Sequence, residues 1–153
     1  MTIEVDRRTL GPASVDVPNP AEVEGLRQRR DRLVNQAGFF GDLSSVDGRL
    51  RMIDMMLKNR QAVREDRFLL ESLGVLLGDA MTLQKAMNWY VLETSLGRMP
   101  CIGVPGLPIK IPVINLLGDA IMSDQPVSAR EVFDDLCRIV DEWKADLQAG
   151  GQA

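Results

Sequence analysis

Four acids lie in or beside the most apolar part of this chain: Glu71, Asp79, Glu93 and Asp119. A pair of carboxylates can act as general acid and base, as in glycoside hydrolysis. Nothing in the spacing of these four selects such a pair. Histidine, the usual general base near neutral pH and the commonest metal ligand, does not occur. Without it there is no Ser-His-Asp or Cys-His arrangement. Cys101 and Cys137 stand apart from one another, a poor start for a zinc site. Gly103 and Gly106 sit in a proline-rich stretch, outside the strand–turn–helix context a dinucleotide loop needs, and there is no Walker A loop. No residue is therefore assigned to catalysis, to a cofactor or to a metal. The remaining reading of the acids is structural: they cap helices, pair with arginine or face water.

The elements that must position these acids centre on residues 69–98. Phe68 to Met81 is apolar on nearly every side, the mark of a helix buried on several faces. Gly74 and Gly78 lie one turn apart on it. Glycine costs up to ~1 kcal/mol in a helix interior, so two of them call for the close approach of another backbone. The hairpin or the last helix is the expected cover. Asp79, on the same helix, needs a partner if buried. Arg98 is the first candidate, and the indole N–H of Trp89 is the alternative. After this helix the residue types change: Trp89, Tyr90, Val91 and Leu92 favour a strand, Leu96-Gly97-Arg98 a turn, and Met99–Val104 a return strand.

Elsewhere helices are expected. Asn19, Pro20 and Glu22 form a start signal for a helix running to about Gln36. Gly38 to Gly41 connects it to a second helix that opens at Ser44 and ends near Lys58–Arg60. A third covers Val63–Ala86, and a short fourth spans about Val113–Met122 after the crossing segment Pro105–Pro112. Ser128 and Glu131 form the capping box of the last helix, whose apolar face includes Val132, Phe133, Leu136, Ile139, Val140, Trp143 and Leu147. Residues 1–18 read as an extended arm, for which disorder is the alternative; Ile3, Val5, Val15 and Val17 alternate as an edge strand would. Residues 19–148 read as a single domain and 149–153 as a frayed tail. The cluster Arg27, Arg29, Arg30 and Arg32 reads as a solvated, salt-bridged face. Met52, Met55 and Met56 read as core. The pentapeptide LLGDA occurs at Leu76–Ala80 and at Leu116–Ala120 with unmatched flanks, a chance echo rather than a repeat.

The fold class expected is α+β, with helices packed on a small antiparallel hairpin sheet of two or three strands. At 153 residues the chain is long enough for one real core. Its net charge of -4 falls wholly in residues 73–153, which hold 6 Lys/Arg against 10 Asp/Glu. That acidity argues against nucleic-acid binding and is compatible with a basic protein partner. No stretch approaches the ~20 apolar residues of a membrane span, and none at the start suits a signal peptide. A cytoplasmic location with reduced cysteines is expected.

The block Leu73-Gly74-x3-Gly78-Asp79, Trp89 with Glu93, Gly97-Arg98-x-Pro100, the proline-rich crossing and V-S-x-x-E-V-F at Val127–Phe133 resembles an uncharacterised bacterial family, a domain of unknown function. Ser95-Leu96 departs from its pattern, standing where an acidic-aromatic pair precedes the Gly-Arg. The resemblance covers the C-terminal half to two-thirds of the chain. It implies a small α+β fold and carries no activity, cofactor or catalytic residue. The expected function is a non-catalytic protein-binding module, monomer or homodimer, such as an immunity-type inhibitor of a bacterial toxin. A homodimeric secretion chaperone and a carboxylate-based enzyme or small-ligand protein are the alternatives.

Overall fold

A computed structural model describes residues 14–34 and 42–150. The expectations for Ile3 and Val5, for the Gly38–Gly41 connection and for the tail beyond Gly150 lie outside them. Within them, helices α1 (Pro20–Val34), α2 (Val46–Leu57), α3 (Arg60–Arg64), α4 (Arg67–Lys85), α5 (Leu116–Met122) and α6 (Ala129–Gly150) surround an antiparallel sheet. The strands are β1 (Ser14–Asp16), β2 (Asn88–Thr94), β3 (Gly97–Gly103) and β4 (Lys110–Ile111), in the order β1-β2-β3-β4. The fold is α+β, as expected, but the sheet has four strands. The edge strand β1 falls at Val15, where the alternation suggested one, and stops short of Val17, whereas the two-residue β4 carries no pattern of its own.

Helix α4 is the axis of the domain and packs against α1, α2, α3, α5, α6 and β3. Every residue from Ser72 to Met81 is buried. Leu73, Leu77 and Met81 are fully so, and each such side chain contributes about 1.5–3 kcal/mol by leaving water. The expected single helix over Val63–Ala86 is in fact two. Asp66 accepts a hydrogen bond from the Leu69 backbone N–H at 3.0 Å, capping α4 and ending the short α3. Asn19 and Glu22 close the reciprocal box that starts α1, at 2.8 and 2.9 Å. The box at α6 is looser, with Ser128 Oγ 3.4 Å from the Glu131 N–H. Asp54 of α2 reaches across to accept from the Ala129 N–H at 2.8 Å, tying α6 to α2.

In the hairpin, Glu93 sits opposite Arg98 and Trp89 opposite Ile102. The turn falls at Ser95-Leu96, one step earlier than expected, and Gly97 opens β3 at φ +116°, a conformation that favours glycine. Met52 is buried, and Met55 and Met56 pack against the same core.

Candidate functional site

The clustered arginines of α1 are salt-bridged, as expected, and Arg27 and Arg32 are exposed, but three of the four pair beyond their own helix. Each reaches α4: Arg29 Nη2 to Glu71 at 3.0 Å, Arg30 to Asp79, and Arg32 Nη2 to Asp66 at 2.8 Å. Arg27 stays on its own helix, paired with Glu24. The deepest of these pairs is bidentate. Arg30 Nε donates to Asp79 Oδ2 at 2.6 Å and Nη2 to Oδ1 at 2.9 Å, the strong fork geometry of arginine and carboxylate. Hydrogen bonding to Asp79 holds the Arg30 guanidinium above its usual pKa. Trp89 Nε1 donates to the same Oδ1 at 2.9 Å.

The expected Asp79–Arg98 bridge is therefore not formed. Arg98 lies four residues along the hairpin from the partner of Trp89, roughly 13 Å away along a strand. There it binds Glu22 through Nε at 3.0 Å and Nη2 at 2.8 Å, Glu93 at 2.6 Å and Asp16 at 3.4 Å. It thus latches α1 and β1 to the hairpin turn. The hydrogen bond from Arg98, aided by the Asn19 backbone N–H, lowers the pKa of Glu22.

Gly74 and Gly78 are covered, but not by the last helix. A Cβ on Gly74 would collide with the backbone of Ile114, 2.6 Å from its carbonyl carbon. A Cβ on Gly78 would meet Trp89 Cη2 at 2.6 Å and Val113 Cγ1 at 2.9 Å. Val113 and Ile114, just after the proline-rich crossing, and Trp89 of the hairpin are pressed onto bare helix. Gly74, Gly78, Asp79 and Trp89 together form a structural seam, and Glu93, Gly97 and Arg98 form the latch at the other end of the hairpin.

Pro112, at the end of the crossing segment, and Ile114, which covers Gly74, also form one wall of a groove. A first cavity of about 380 Å³ lies between α1, the N-terminal turn of α4 and β3, and includes Gly25, Arg29, Glu71, Met99, Pro100 and Ile114 in its lining. A second of about 360 Å³ continues between α4 and α5, past Leu70, Gly118 and Asp119. Arg67, Glu71, Ile114 and Asn115 belong to both. Two helical glycines line the groove, Gly25 on α1 and Gly118 on α5. Each has room for a Cβ: the nearest atoms to it would be Arg29 Nη1 at 3.5 Å and Leu70 carbons at 3.8 Å, ordinary contacts. Neither glycine was singled out from sequence. The available signal was a glycine inside a helical pattern with no packing reason for it.

Of the four acids, Glu71 and Asp119 line the groove, whereas Asp79 and Glu93 serve the seam and the latch. Glu71 is ion-paired with Arg29, which also lies over the Phe68 ring at 5.2 Å. Among the described residues no group of three or more His, Cys, Asp and Glu is placed to hold a metal ion. Away from the groove, burial pushes the Cys101 thiol up to about 12 and also raises Cys137, so neither is an activated nucleophile. Lys110 is buried beside Cys101 with its pKa lowered by burial. Its Nζ donates to the carbonyls of Leu107 at 2.9 Å and Ile109 at 3.3 Å, over the Tyr90 ring. No helix among the described residues is long and apolar enough to cross a membrane.

Comparison with known proteins agrees with the resemblance read from the sequence. The family described as a domain of unknown function (DUF3806) matches over residues 49–133, more than half of the chain, and the chain belongs to that family. The match begins within α2, well before the motif at Leu73. No curated protein sequence matches. A crystal structure of a protein from Bacteroides thetaiotaomicron VPI-5482 is similar in fold, with a TM-score of 0.70 at 14% identity over 82% of this chain. The chain spans about half the length of that protein, 47% of which is covered.

Proposed function

We propose that this member of a family of unknown function is a non-catalytic protein-binding module whose groove receives an extended segment of a partner protein. The observation that carries the reading is the pair of glycines at Gly25 and Gly118. Each weakens its helix by up to ~1 kcal/mol relative to alanine, and neither is required by packing. What a side chain at either position would consume is groove volume. The groove is also walled by Met99, Pro100, Pro112 and Ile114, an apolar surface rimmed by charges, the usual make-up of a recognition surface. A carboxylate enzyme fits less well, because Glu71 spends its charge on Arg29.

A concrete version is an immunity-type inhibitor acting in a reducing cytoplasm, in keeping with two free cysteines. A monomer at micromolar concentration would separate it from a homodimeric secretion chaperone. The test is a tagged chain expressed in its native cells, alongside Gly118→Leu, a substitution that fills the second cavity. The expected result is a stoichiometric protein retained by the parent chain and lost from a fully folded Gly118→Leu. Retention by both would overturn the assignment of the groove as the binding face.

A further inference from the structure

We infer that the segment taken by the groove carries one internal acidic side chain, flanked by proline or aliphatic residues, and that Arg67 with Asn115 reads it. The inference rests on the groove being a peptide site. The arginines around the groove are unequally engaged. Arg98 is held by three carboxylates and Arg29 by Glu71 and by its own helix, through the Gly25 carbonyl at 3.0 Å. Arg67 differs. Its side chain is 89% exposed, and its ion pair with Glu71, one turn along α4, is loose, with Nε 3.7 Å from the carboxylate and beyond hydrogen-bond reach. Its fork of N–H groups is thus open to an incoming carboxylate.

Asn115 stands beside it. Although it occupies the N-cap position of α5, its side chain makes no capping hydrogen bond, so its amide is left to pair with a peptide backbone. Ile114 and Pro112 supply the apolar wall next to them. Position decides between the two sources of a carboxylate. Arg67 and Asn115 belong to both cavities, at the point where these join. A terminal carboxylate there would leave one cavity empty, whereas an internal Asp or Glu has chain on both sides to fill both. Glu71, at the junction, is offset by Arg29 at 3.0 Å, whereas Asp119, exposed on the second cavity, disfavours a further acid in that half by like-charge repulsion.

The experiment uses three fluorescent peptide pools in which proline and aliphatic residues flank a fixed glutamate, glutamine or lysine. Binding is read by polarisation and by amide shifts, with the full chain, Arg67→Glu and Gly118→Leu. The glutamate pool should bind about tenfold more tightly than the glutamine pool, the difference one charge-assisted hydrogen-bond pair makes. Arg67→Glu should reverse the preference towards lysine, and Gly118→Leu should abolish binding of all three. Equal binding of the three pools, still abolished by Gly118→Leu, would overturn the acidic specificity and leave the peptide groove standing. No shift of groove amides with any pool would overturn both.

Discussion

The pentapeptide LLGDA occurs twice, and its two copies do opposite work. In α4, Gly78 is pressed beneath the Trp89 ring and Asp79 is held by Arg30 and the Trp89 indole. In α5, Gly118 has nothing closer than 3.8 Å to an added Cβ, and Asp119 faces the groove, exposed. The same residues are therefore structural in one helix and permissive in the other. A glycine's meaning comes from what stands over it: at Gly78 a neighbour leaves no room for a Cβ, and at Gly118 a Cβ would make only ordinary contact with Leu70.

Substitutions sharpen this contrast, beginning with the most severe. Gly74→Ala sets a methyl against the Ile114 backbone, which cannot rotate away as a side chain could. A loss of about 3 kcal/mol or more is expected in urea unfolding, and an unchanged midpoint would refute the packed seam. Asp79→Ala strips the acceptor from Arg30 and Trp89. Breaking a buried pair costs about 3–5 kcal/mol, and because the Arg30 side chain is 36% exposed the expected loss is nearer 2 kcal/mol. Asp79→Asn, which keeps an oxygen for the indole, should lose less. At the second copy, Asp119→Ala should alter stability by less than about 0.5 kcal/mol; a loss as large as that of Asp79→Ala would dissolve the distinction.

The smallest expected effect is at the latch. Glu22 has a folded-state pKa below its ordinary value of 4.5, set first by the Arg98 hydrogen bond. A depressed carboxylate stabilises the fold above its unfolded pKa and loses that contribution as pH falls through the folded value. Between neutral pH and about 4.5 the latch should hold. As pH falls further, through its lowered folded-state value, Glu22 protonates and the contact of α1 with Arg98 weakens. Carboxyl NMR titration of Glu22 checks this, and Arg98→Gln should return its midpoint towards 4.5.

Much of the seam was legible in sequence because its signals are local. The buried helix, the hairpin and the cost of Gly74 and Gly78 are each read from a short stretch of chain, as are the caps at Asn19 and Ser128 elsewhere. The hydrogen bond that the Trp89 indole donates to Asp79 was legible as the alternative pairing, since the two are ten positions apart. Arg30 was not, being 49 positions away on a helix whose arginines read equally well as a solvated face. The break at Asp66 was missed because the apolar period continues through it while one side-chain oxygen redirects the chain. The groove was the least legible feature. Its walls come from α1, α4, β3, the crossing segment and α5, and only the unexplained glycines in two amphipathic stretches hinted at it.

The most direct test of the account is a paired urea titration of Gly78→Ala and Gly118→Ala against the parent chain. The two should move in opposite directions. Gly78→Ala should lower stability by about 2–3 kcal/mol through overpacking against Trp89 and Val113. Gly118→Ala should raise it by about 0.5–1 kcal/mol through improved helix formation. Destabilisation of both would mean that Gly118, too, is required by packing, and would contradict the reading of the groove as space deliberately kept open.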